Sequence, residues 1–310
     1  MSQLIPSEKH EQVLEEGIDV PEQRPAVPLP LDRVGIAGKT VWVDFTNPEW
    51  GRISFTAEIH VNLSAEYRGI HMSRIEQAIS ELHGQRFEAL TDYAFLLARK
   101  VIEGQNSRHG AVHLAGRVPI LRQTPVSGHP SLDSAGISAS VHLERRQNGG
   151  RKSVVAMGAE IHHLTACPCT QLYNSCLFES GDPSCPRPTH SQRSRTGLEI
   201  KLTDSKTGLT YEDIVNCLTA ALHSSRDLLK RPDEAELVLA AHRHPQFAED
   251  AVREVAKEAA ARFMPVLPPS ARIRIHCLSL ESIHIHDVVS SLDLSLQDIV
   301  SFLRNNTDSA

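Results

Sequence analysis

K-T-V-W-V-D-F over Lys39–Phe45, N-P-E-W-G-R over Asn47–Arg52 and I-S-F-T-A-E-I-H-V-N-L over Ile53–Leu63 read as strand, turn, strand. Both outer runs alternate apolar and polar residues, the period-2 signature of a half-buried strand, and the proline and glycine between them close a hairpin. Downstream the period changes. Ser73 is placed to cap a helix from Arg74, with Glu76 three residues on as its capping-box partner. Ile75, Ala78, Ile79 and Leu82 then form one helical face. A second helical pattern runs from Phe87 to Ile102 through Leu90, Tyr93, Ala94, Leu97 and Val101. Two more strand-like runs, Ala111–Leu121 and Ala135–Arg145, are joined by the turn-rich T-P-V-S-G-H-P-S. The order so far is ββααββ.

The second half repeats that order. The Asn148-Gly149-Gly150 turn leads into S-V-V-A-M-G-A-E-I-H, and T-G-L-E-I-K-L-T-D follows as the next strand. Helical patterns cover Tyr211–Ser224, Asp233–Ala241 and Phe247–Phe263, ending before Pro268-Pro269. The chain returns to strand over Ala271–Ser282, and the tail S-L-D-L-S-L-Q-D-I-V-S-F-L-R reads as a short helix. The predicted fold is α+β: two tandem ββααββ units forming antiparallel sheets with helices on one face. Residues 1–35, rich in proline and acidic side chains, read as an extended arm; 36–150 form the first unit and 151–310 the second.

Composition narrows the function classes. At 310 residues the chain is about twice the usual single domain, so two units fit. A formal charge of −6 gives no global attraction to nucleic acid, so a phosphate-bearing ligand has to be held by a local cluster of basic groups. No stretch reaches the roughly 18 apolar residues of a membrane span, and the first residues lack a secretory pattern. Six cysteines without framework spacing suit reduced thiols, and a cytoplasmic enzyme is expected.

Between Thr165 and Arg193 lie Cys167, Cys169, Cys176, Cys185 and His190. A thiolate and an imidazole make a good ligand set for Zn²⁺ or Fe²⁺, and an open position on such an ion is what hydrolysis needs. A structural zinc site, or thiols packed as small apolar groups, stay open as alternatives. Glu281-Ser282-Ile283-His284-Ile285-His286-Asp287 brings a carboxylate near two imidazoles. On a strand His284 and His286 share a face and suit acid–base work, and a bend after the strand would let Glu281 join them; solvent-facing histidines are the other reading. Lys230-Arg231-Pro232-Asp233-Glu234 reads as a helix start or a phosphate-binding pair, and His71-Met72-Ser73-Arg74 as a helix start or an anion site. No Walker loop, no dinucleotide fingerprint and no H-E-x-x-H motif occurs.

Arg68–Arg74, Cys167-Pro168-Cys169, His190–Arg193, Leu228–Glu234 and Glu281–Asp287, in that order, resemble the type IB GTP cyclohydrolases, a family with bacterial and archaeal branches. Arg33-Val34-Gly35, Ala241-His242 and Pro245–Asp250 lean toward the archaeal branch. The resemblance implies a tunnelling fold, a homo-oligomer, usually a tetramer, with active sites between protomers, and GTP as substrate. It implies hydrolytic opening of the guanine ring at C8 with loss of formate, giving 7,8-dihydroneopterin triphosphate or its 2′,3′-cyclic phosphate, on the way to folate or another pterin. Carried over residue by residue, Cys167 and His190 hold a divalent metal, Zn, Fe(II) or Mn, Cys167 counts with the catalytic groups as well, and Cys169 stands beside the site as a catalytic thiol or an alternative ligand. Glu281, His284 and His286 move protons and position substrate, while Arg74, Arg193, Lys230 and Arg231 hold the triphosphate. The glutamate that anchors the guanine edge in the bacterial branch aligns here with Leu239, leaving Glu236 as the nearest carboxylate. A metal-stabilised relative that binds or processes another purine or pterin without ring opening is the alternative.

Overall fold

The computed structural model describes residues 4–17, 19–146, 150–178, 185–203 and 208–307. The opening hairpin is present and longer than its sequence pattern: β1 spans Leu31–Phe45 and β2 spans Arg52–Leu63. Their register is antiparallel, with Val41 opposite Phe55 and Val43 opposite Ile53. Helices α2 (Met72–Ser80) and α3 (Leu90–Gly104) follow, then β4 (His109–Gln123) and β5 (Pro130–Arg145). The second half gives β6 (Arg151–Ala166), α4 (Pro168–Leu177), β7 (Ser191–Thr203), α5 (Tyr211–Ala221), α6 (Arg231–Arg243), α7 (Ala248–Phe263), β9 (Arg272–Ser279) and β10 (Val288–Ser295). Two-residue strands β3 (Arg86–Phe87) and β8 (His223–Ser224) fill out the sheet.

One sheet runs through both halves in the order β10-β9-β7-β6-β5-β4-β2-β1-β3, with β8 attached to β6. Each unit contributes four long strands as neighbours, which is the duplicated ββααββ order read from the sequence. Helices α3, α5 and α7 cover one face, where Ile59, Leu97, Leu114, Ile200, Ile214 and Ile275 are buried in a core common to both units. On the other face Arg274 pairs with Glu199 and Asp293, and Arg195 with Glu160. Within the second unit the cysteine-bearing α4 and the extra helix α6 are insertions into the repeat.

Four expectations are corrected. The arm contains a helix, α1 (Ser7–Glu15), with no buried residue, so no apolar stripe advertised it. The cap of α2 is His71 rather than Ser73: the Gln105 amide grips both the His71 N–H and carbonyl, and Glu76 pairs with Lys39 instead. The first half of the tail is strand β10; the helix, α8 (Leu296–Thr307), starts only after it. Glu281–Asp287 is the bend between β9 and β10, not a strand. The Asn148-Gly149 turn lies outside the described residues. Where the capping signal was complete it holds: the Asp213 N–H donates to Thr210 Oγ1 and the Asp213 carboxylate accepts from the Thr210 N–H. Among the described residues no helix is long and apolar enough to cross a membrane.

Candidate functional site

Antiparallel strands bring alternate chain ends to the same rim of a sheet. The ends of β6 and β9 and the start of β7 therefore meet, and they carry the cysteine–histidine and Glu281–Asp287 segments. Ala166 pairs with Ser191 as the last rung between β6 and β7, and the Cys167 N–H still donates to the His190 carbonyl at 3.1 Å. Cys167 and His190 are thus the next opposed residues, and opposed residues project to one face. The Thr189 hydroxyl donates to the Cys167 carbonyl at 2.7 Å and locks the pair of backbones together. Cys167 is buried, whereas Cys169 is exposed in the first turn of α4. Gln171 and Asn174 tie α4 to the Arg187 and Pro188 carbonyls, and Gln171 also reaches the end of α6 at the His242 carbonyl.

The bend after β9 folds back over this pair. The His190 and His284 rings meet edge to face with centroids 6.4 Å apart, and His286 stacks on His284 at 5.4 Å. Gln192 links the two segments: its amide oxygen is 3.2 Å from His190 Nδ1, and its nitrogen donates to Glu281 Oε1 at 3.2 Å. Ser279 also donates to Glu281 Oε1, at 3.0 Å. Behind Glu281 the hydroxyls of Ser279, Ser194 and Thr165 form a buried chain, with 3.1 Å between Ser194 and Ser279 and 2.8 Å between Thr165 and Ser194. His163, farther down the same face of β6, is fully buried with Nε2 2.7 Å from the Thr196 hydroxyl. Burial pushes its pKa down to about 4, so the ring is neutral.

The donor chemistry suits a divalent metal. A thiol and an imidazole share a face, and the contact of His190 Nδ1 with an amide oxygen leaves Nε2 as the ligand atom, the arrangement by which outer groups orient a metal-binding histidine. Among the described residues the three donors that converge most closely are elsewhere: Asp19, Glu22 and His71, beside the arm. Arg74 belongs to that neighbourhood, donating to the Gly104 carbonyl and to Glu22. Lys230 and Arg231 are exposed at the start of α6, where Lys230 is the N-cap residue and its N–H donates to Asp233. Of the four predicted phosphate contacts, Arg193 alone stands beside the rim that carries Cys167 and His190.

Arg193 also lines a cavity that the sequence did not suggest. Pairing of β5 with β6 stops at Gly136–Glu160, although β5 continues with β4 to Pro130 and β6 continues with β7 to Ala166. The sheet forks there. His223–Ser224 pairs with β6 inside the fork, and a cavity of about 240 Å³ remains, lined by Arg117, Arg122, Arg193, Arg226, Asp133 and His162 among others. Its arginines come from three separate segments, β4, β7 and the stretch after β8, so apart from Arg193 no local motif marked them.

A family model described as Type I GTP cyclohydrolase folE2 matches residues 18–290. The chain is 31% identical to GTP cyclohydrolase MptA of Aeropyrum pernix over 92% of its own length and 98% of that protein's. It is 30% identical to GTP cyclohydrolase MptA of Pyrococcus furiosus, over 89% of this chain and 98% of the relative. Among solved structures, a highly active mutant of Bacillus sp. TB-90 urate oxidase aligns with 85% of this chain and 99% of its own at TM-score 0.47 and 7% identity. With the family model spanning most of its length and relatives matched nearly end to end, this chain belongs to the type I GTP cyclohydrolase folE2 family.

Proposed function

We propose that the protein is a metal-dependent, cytoplasmic GTP cyclohydrolase that opens the guanine ring at C8 with loss of formate. The observation that carries this reading is the meeting of His190, Gln192, Glu281, His284 and His286 above Cys167 at one rim of the sheet. Cys167 and His190 would hold the metal; when bound it supplies Lewis acidity and a water of lowered pKa. Glu281 Oε1 is occupied by two donors, which leaves Oε2 to take a proton from the attacking water. His284 and His286, exposed on the bend, are placed to donate to the ring nitrogen as the imidazole opens and to steady the purine by stacking. Cys169, exposed beside Cys167, is a second thiol within the site. Arg193 is the phosphate contact at this rim; Arg74, Lys230 and Arg231 would serve a substrate bound between protomers of a homo-oligomer, arriving from a neighbouring copy.

Mass spectrometry of the products from GTP, with Zn²⁺, Mn²⁺ or Fe²⁺ supplied, tests this reading. Formate and a dihydropterin are expected, as the linear triphosphate or the 2′,3′-cyclic phosphate. Intact GTP with every metal would reject it. Glu281→Gln and His284→Asn should each lower turnover by roughly 10²- to 10⁴-fold while the chain stays folded. Unchanged turnover in both would remove the proton-transfer roles.

A further inference from the structure

We infer that the cavity in the fork of the sheet is a polyphosphate site, with Arg117, Arg122, Arg193 and Arg226 as its cationic wall. The identity of the nucleotide rests on the function proposed above; the anion class does not. Four guanidiniums face two carboxylates, Asp133 and Asp227, in a chain whose net charge is −6. Asp133 offsets one of the four, which leaves three guanidiniums against Asp227. Asp133 pairs with Arg226 at 3.4 Å and accepts from Ser131 and from the Asp227 N–H. Arg117 spends its donors on Ser134, and Arg122 on Thr219 and Asn216 of α5, all of them uncharged groups. Arg193 has no side-chain hydrogen bond or ion pair among the described residues.

Two further atoms of the wall await an acceptor or donor. His162 Nδ1 and Ser224 Oγ are buried without a protein partner, although buried polar groups are rarely left so. A phosphate oxygen accepts from a hydroxyl or an imidazole N–H, while guanidiniums recognise phosphate through paired N–H donors. Crowding of like charge is visible in Arg122, whose guanidinium is pushed down by burial and then by Arg226. Such crowding is relieved by a bound anion. The fork supplies the rigidity: Ser225 donates to the His162 carbonyl at 3.0 Å, fixing the 223–227 segment across the gap.

The test uses the full chain and inorganic tripolyphosphate as the probe. Binding to the wild type, to Arg193→Gln and to Arg122→Gln is compared at two salt concentrations, with the exposed α7 variant Arg253→Gln as control. Each cavity variant should weaken binding by about tenfold to a hundredfold, the loss of one charge-assisted contact. Arg193→Lys should recover part of it, and the control should match the wild type. For GTP, KM should rise in the cavity variants with a smaller change in kcat. Tripolyphosphate binding that is absent, or equal in wild type and both variants, overturns the inference even if formate is released. Binding lost in both variants without formate release from any preparation would sustain the anion site and reject the cyclohydrolase reading. Arg193→Gln removes no side-chain hydrogen bond or ion pair among the described residues, and an unchanged unfolding midpoint for this variant separates lost binding from misfolding.

Discussion

Gln192 is where two pieces of sequence 89 positions apart become one site, since its amide touches both His190 and Glu281. Removing such an orienting group loosens the ligand without deleting it. Gln192→Ala is therefore expected to weaken divalent-metal affinity by about tenfold to a hundredfold, measured by competition with a chelating dye; unchanged affinity would show that Gln192 does not orient His190. His163 makes a different kind of prediction. Its folded pKa, about 4, lies below the ordinary 6.5, so the unfolded chain takes up a proton that the folded chain refuses between those values. Stability is therefore flat above this window and falls as pH drops through it, by about 3 kcal/mol in all. Urea unfolding from about pH 7 to about pH 4.5 should show wild type losing more stability than His163→Gln. Parallel loss would assign the acid lability elsewhere.

At the scale of elements, Asp233 shows how a connection is fastened. Burial raises its pKa, but the Ser127 hydroxyl and the N–H groups of Ser127, Val126 and Lys230 outweigh it and hold the carboxylate well below its usual range. One side chain thus joins the β4–β5 turn to the start of α6. Asp233→Ala should cost about 2–4 kcal/mol at neutral pH, the loss of a buried charged acceptor. The deficit relative to wild type should shrink below the ordinary carboxylate value of 3.8, where the unfolded chain takes up a proton that the folded carboxylate still refuses. Gly35 is as unforgiving: a Cβ there would sit 1.8 Å from the Ile59 carbonyl oxygen, so Gly35→Ala should part β1 from β2 and lower the unfolding midpoint.

Most strands and helices could be read from the sequence because alternation or a 3.6-residue period coincided with burial. The Glu281–Asp287 bend misleads for the same reason: Ile283 and Ile285 alternate with histidines as in a strand, yet both are exposed. The cysteine–histidine pair was legible from residue type. Gln192 as a bridge, and Arg117, Arg122 and Arg226 of the fork, were not, because their partners are fixed by strand register and each of these arginines looks locally like an ordinary surface cation.

For the whole molecule, the open sheet ends in β10 on one side and, on the other, in a β1 whose outer edge pairs with β3 only at Asp44 and Phe45. Exposed edges of that length invite a further strand. With the homo-oligomer proposed above, light scattering should give a multiple of the 34.2 kDa chain mass; a monomer at working concentration would require the site to be complete within one copy. The seam between the units carries another consequence. Gly136–Arg145 and Arg151–Glu160 form ten successive rungs, and the apolar interior is common to both sides. Neither half has a private interior to fall back on, so heating should produce a single endotherm with calorimetric and van't Hoff enthalpies in agreement, and the halves expressed apart should each fail to give one.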